Sequence, residues 1–209
     1  MLLLLLACKP LLVAFPAQPE GPTELWEATG YSSEIEQLGP WIFERASCSG
    51  GVSVGVGPWS RSSQRCTIQS IHPSAWGMEC KRVSHNLGGG VSFGVVGMSA
   101  GGAVYDQTDC ELAGPGGLGM LTLKPDESGR LAGDLSLGQM VLYFRPVYSL
   151  QGSGYEYPGS AGLLVETKGK VIATVDFLNG GRTELLQGLS EDERAGVMLG
   201  AVGLFLLRD

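Results

Sequence analysis

Gly97-Met98-Ser99-Ala100-Gly101 is a stretch of this 209-residue chain whose spacing fits a catalytic nucleophile. In G-x-S-x-G a strained strand-to-helix turn exposes the serine hydroxyl beneath backbone N–H groups that stabilise an oxyanion. A histidine must take the hydroxyl proton and an acid must orient that histidine. Here both histidines, His72 and His85, precede Ser99, and no aspartate lies between either of them and it. Neither order of a triad is available, and no helical pattern follows. A serine hydrolase using Ser99 is therefore the remote alternative. His85-Asn86-Leu87-Gly88-Gly89-Gly90 has the glycines of an oxyanion loop, but Gly88–Gly90 read as a flexible turn before a strand at Val91. Gly114-Pro115-Gly116-Gly117-Leu118-Gly119 satisfies G-x-G-x-x-G, yet a strand pattern follows it, where a dinucleotide site needs a helix. Cys66, His72, Cys80 and His85 are the one metal-like set, and they lack the compact Cys pair of a zinc site. Neither a metal nor a cofactor is expected.

The net charge is −7. Nucleic-acid binding needs cations that displace phosphate counterions, so it is not expected. One local reversal stands out. Arg61, Arg65, Lys81 and Arg82 face only Glu79 between Pro58 and His85. They read as a solvated strand edge or, alternatively, as an anion or lipid-headgroup contact. Asp106, Asp109 and Glu111 read as a solvated acidic loop, and Trp26, Trp41, Trp59 and Trp76 as core residues, about one per hairpin.

Five cysteines occur, at positions 8, 48, 66, 80 and 110. Leu5-Leu6-Ala7-Cys8 ends a leucine run in a small residue and then a cysteine. That order resembles a bacterial lipobox, in which the cysteine is acylated and the chain is cut just before it. The resemblance implies an extracytoplasmic protein, anchored in a membrane through lipidated Cys8, with residues 1–7 removed. The segment lacks the positive n-region of a secretory signal, and its apolar run is shorter than the usual ~7–15 residues. Removing Cys8 from the count leaves Cys48, Cys66, Cys80 and Cys110, an even set suited to two disulfides in an oxidising compartment. Four cysteines allow three connectivities, and sequence does not choose among them. Cys48–Cys66 with Cys80–Cys110 is preferred, because each bridge would staple near-neighbour strands.

These residues need a scaffold, and the pattern around them is mainly β. The 33 glycines, about twice the usual share of roughly 7%, punctuate short apolar runs. Val52–Gly57, Val91–Val95, Leu121–Lys124, Leu131–Leu137 and Met140–Tyr148 read as strands, with Pro125–Gly129 a turn and Pro146 marking an edge or bulge. Gly162–Thr167 and Lys170–Phe177 form a hairpin about Lys168-Gly169, with Val171, Ala173, Val175 and Phe177 on one side. Asn179-Gly180-Gly181 turns into Thr183–Leu186. Ser190 and Glu193 form a capping box, and Ala195–Leu207 follows without a charge. That run is about 20 Å long as a helix, too short for a bilayer core of ~30 Å. A helix apolar all round must be buried all round. The expected fold is a single antiparallel β-barrel or sandwich-like domain of about 11–12 short strands with one buried C-terminal helix. The expected divisions are a signal remnant over 1–7, a Pro-rich tether over 8–30, and one β-rich domain over 31–209 ending in helix 191–208.

Gly169-Lys170-Val171-Ile172-Ala173-Thr174-Val175 and Glu193-Arg194-Ala195-Gly196-Val197-Met198-Leu199-Gly200-Ala201 resemble the late strand and terminal helix of the tubby C-terminal-like group, which includes phospholipid scramblases and LURP-one-related proteins. The resemblance implies a barrel of about twelve strands wrapped around the helix, and a lipid-binding or lipid-sensing role. The sequence departs from that group in having no cysteine-rich palmitoylated stretch, acidic calcium loop or membrane-spanning tail after the helix, so scrambling activity is not part of the expectation. The leading expectation is a non-enzymatic cell-envelope lipoprotein with a binding or structural role.

Overall fold

The computed structural model describes residues 11–31, 34–49, 54–56, 59–93, 96–125, 131–157, 160–178 and 181–207. The Leu5–Cys8 motif, most of the turn expected at 125–129, and Asn179-Gly180 lie outside them. The strands are β1 Thr23–Tyr31, β2 Glu34–Leu38, β3 Trp41–Ser49, β4 Val54–Val56, β5 Trp59–His72, β6 Trp76–Phe93, β7 Val96–Gly114, β8 Gly117–Pro125, β9 Leu131–Leu137, β10 Met140–Val147, β11 Gly162–Thr167, β12 Lys170–Asp176 and β13 Arg182–Leu186. Helix α1, Glu191–Leu207, ends the described chain.

Every pairing is antiparallel. Successive strands neighbour each other from β5 to β13, β13 pairs with β1, and β3 returns to β5. This closes a twelve-strand up-and-down barrel, with β4 paired outside the ring to β5. Closure removes the exposed edges that an open sheet would carry.

The barrel is filled by α1. Ala195, Val197, Met198, Leu199, Ala201 and Val202 are all buried, as is Leu206 near the C-terminal end. A stripe of small residues explains how a helix fits. Gly196 receives Leu142 of β10, Gly200 receives the ring of Phe144, and Gly203 receives Met78 of β6. Each missing Cβ is space that a wall side chain occupies, in keeping with the close packing of protein interiors. The capping box forms as expected. The Ser190 backbone N–H donates to Glu193 Oε2 at 2.9 Å, and the Glu193 N–H donates to Ser190 Oγ at 3.3 Å. At the helix entrance Arg194 pairs with Glu24 of β1 and lies 5.1 Å from the centre of the Trp26 ring.

Four expectations are corrected. The tether over 8–30 contains β1, which pairs with β13 and β2 and buries Trp26, so the barrel begins at Thr23 rather than at residue 31. Exposed Glu27 and half-exposed Leu25 alternate with the inward residues and hid the strand from a hydrophobicity reading. Gly88–Gly90 are no turn. They lie within β6, opposite Gly101, Ala100 and Ser99, where backbone pairing needs no side chains. Of the strand expected over Val91–Val95, Val91–Phe93 end β6, and Gly94-Val95 lie outside the described residues. Val171 leaves the face of Ala173, Val175 and Phe177. The register shifts between Val165 and Glu166, so Ile172 enters the main core and Val171 turns to a smaller outer cluster. Asp109 and Glu111 lie in strand β7, not in a loop. Lys168-Gly169 does turn the hairpin, with φ of 49° and 75°, the left-handed pair that two-residue hairpins need. Pro146 pairs with Leu163 of β11 and lies beyond the last residue that β10 pairs with β9, so its missing N–H leaves no ladder bond unmade on that side.

Candidate functional site

The four barrel cysteines occupy one row. Cys48 on β3, Cys66 on β5, Cys80 on β6 and Cys110 on β7 stand directly opposite one another in consecutive pairings. Disulfides join Cys48 to Cys66 and Cys80 to Cys110, the preferred connectivity. Cys66, Cys80 and Cys110 are fully buried, and Cys48 Sγ touches the Leu206 carbonyl of α1 at 3.4 Å. The bridges thus staple the wall where the helix ends. Cys66 and Cys80 are also opposed, so spacing alone could not have excluded a bridge between them. Both sulfurs are consumed in bridges, which removes the metal-like set with His72 and His85. Among the described residues, no group of three or more His, Cys, Asp or Glu is placed to hold a metal.

The four cations do not form one patch. Arg65 and Lys81 are cross-strand partners and both are exposed; Arg61 lies farther along the same face of β5 and is also exposed. Arg82 is one residue out of phase. It pairs with Gln64 and Thr108 and shares the face of buried Cys80, so alternation takes it to the other side of the sheet. Like charges set directly opposite destabilise a sheet. Asp109, the partner of Lys81 on its other side, offsets the Arg65–Lys81 repulsion and accepts a hydrogen bond from Gln107 Nε2 at 2.7 Å.

Ser99 is inside β7, paired to Gly90, so the strand-to-helix turn of a nucleophile elbow is absent there. His85 stands five positions from Gly90 along β6, roughly 16 Å at the rise of a strand. His72 ends β5 farther away still. Pro115-Gly116 is a two-residue turn between β7 and β8, with Gly114 opposite Gly117, so the G-x-G-x-x-G run is a hairpin and no phosphate cradle. Trp26, Trp41 and Trp76 are buried core residues.

The feature that sequence reading missed is the course of residues 11–22. They do not hang free. The Ala14 N–H donates to the Ser149 carbonyl at 2.9 Å, and the Gln151 N–H donates to Leu12 at 2.8 Å. Gln151 Nε2 adds a bond of 3.3 Å to the Val13 carbonyl. Val13 is 3% exposed, in an outer cluster with Val147, Ala161 and Leu164. Phe15 joins it over Gly162, where an added Cβ would meet the ring at 3.0 Å. The signal was present. Leu11-Leu12-Val13-Ala14-Phe15 is too apolar for a solvated linker, although four prolines, at 10, 16, 19 and 22, give the segment the composition of one. This arm is clamped to the wall of β10, β11 and β12 within a few residues of Cys8.

No family model, curated protein or solved structure matches the chain.

Proposed function

We propose that this chain is an extracytoplasmic lipoprotein with a binding or structural role, held at a membrane by an acyl group on Cys8. The observation that carries this reading is the filled barrel. With α1 occupying the lumen, contact with a partner falls to the outer wall and the loops. The two disulfides fit a non-reducing compartment. Among the described residues, no helix is long and apolar enough to cross a membrane; on this reading the attachment is the acyl group on Cys8. The test is fractionation. Wild-type protein is expected with the membranes and Cys8→Ser in the soluble fraction; equal membrane retention of both overturns the reading.

A second reading, a lipid-sensing barrel of the tubby-like kind, is favoured by the helix on the barrel axis. Under it, Arg61, Arg65 and Lys81 contact anionic headgroups. Each cation near such a surface contributes about 1 kcal/mol, so replacing all three with alanine should weaken binding to phosphatidylglycerol-containing vesicles by roughly 100-fold. Unchanged binding removes this reading and leaves the first.

A further inference from the structure

We propose that Leu11, Leu12 and Tyr155 form a bilayer-contact surface that seats the barrel end-on against the membrane. The proposal rests on the acylation of Cys8 and adds an orientation to it. Leu11 lies three residues after Cys8, and a fully extended chain spans at most about 3.6 Å per residue, so an acylated Cys8 sits within roughly 11 Å of Leu11. Leu11 is 57% exposed and Leu12 42% exposed, while Val13 beside them is buried. The clamp on Val13, Ala14 and Gln151 keeps the two leucines from folding back onto the wall.

The adjoining loop extends the same surface. Val13 bridges Leu150, and Ser149 bridges Glu156, which places Tyr155 about two strand spacings, or roughly 10 Å, from the arm. Tyr155 is 86% exposed, the most exposed of the large apolar or aromatic side chains among the described residues. Tyrosine favours the water–lipid boundary, because its ring is apolar and its hydroxyl is polar. From Tyr148 to Tyr157 the loop carries one charged residue, Glu156, which suits a zwitterionic headgroup layer. Isolated exposed apolar residues need no explanation, but three of them beside an anchor point do. The occupant is the lipid surface.

Hydroxyl-radical footprinting of the acylated protein in phosphatidylcholine vesicles, against the soluble Cys8→Ser form, tests this. Leu118 is 81% exposed in β8 beside the hairpin turn at the opposite end of the barrel and serves as the internal control. Oxidation of Leu11, Leu12 and Tyr155 should fall several-fold on vesicles while that of Leu118 stays constant. Equal protection of Leu118 overturns the orientation. Undiminished oxidation of Tyr155, in a sample whose intact mass carries the diacylglyceryl group, overturns the surface and leaves the anchor standing. An unmodified Cys8 removes both.

Discussion

Thr183 is buried in β13, and its hydroxyl has no hydrogen-bond partner among the described residues. A buried unsatisfied hydroxyl costs about 1–3 kcal/mol, whereas an apolar group of the same shape avoids that cost. Thr183→Val should therefore raise the melting temperature, and a fall would mean that the hydroxyl has a partner. Gly200 is the opposite case. Alanine there gains up to about 1 kcal/mol of helix propensity, but its methyl would collide with the Phe144 ring. Overpacking of this kind costs about 1–3 kcal/mol, so Gly200→Ala should lower stability on balance. At a chain length near this one, each kcal/mol moves the midpoint by about 2–4 °C, a shift that thermal denaturation resolves. Combining Gly200→Ala with Phe144→Leu should recover part of the loss; full additivity would show that the two sites do not touch.

The helix is the element that makes the barrel a closed solid, and its start is set by one side chain. Ser190→Ala removes the cap on the Glu193 N–H and should cost about 1 kcal/mol, read as a lower urea midpoint at unchanged slope. This element was legible in the amino-acid sequence, because a capping box and an uncharged run state both where a helix begins and that it must be buried. The hairpin of β11 and β12 was legible for the same kind of reason, through Lys168-Gly169. β1 was not, since Leu25 and Glu27 blur its alternation, and its strand character comes from pairing with β13 at the far end of the chain. The long β6–β7 hairpin was hidden too, because Gly88–Gly90 carry no periodic signal and gain their conformation from the partner strand. The candidate surface was half visible: Cys8 and the four cations could be read, but Arg82's separation depends on strand phase and Tyr155's position on two isolated bridges.

At the scale of the molecule, a stapled barrel filled by its own helix leaves its outer wall and loops to meet its surroundings. Peptide mapping without reduction should recover Cys48 with Cys66 and Cys80 with Cys110; a Cys66–Cys80 peptide would contradict this connectivity. Replacing Cys80 and Cys110 together with alanine should cost about 3–4 kcal/mol in the chain-entropy model, measured by equilibrium unfolding. Because the strands alternate in direction, the 148–161 connection and the far end of the β6–β7 hairpin lie at the same end of the barrel. Arg61, Arg65 and Lys81 lie toward that end, on the opposite side of the ring from the clamped arm. In the proposed orientation the membrane lies at that end, beside the arm and the exposed Tyr155. The most direct test is the intact mass of the protein extracted from membranes. Loss of residues 1–7 and a diacylglyceryl group on Cys8 are expected; a chain that retains Met1, or an unmodified Cys8, would overturn the lipoprotein reading.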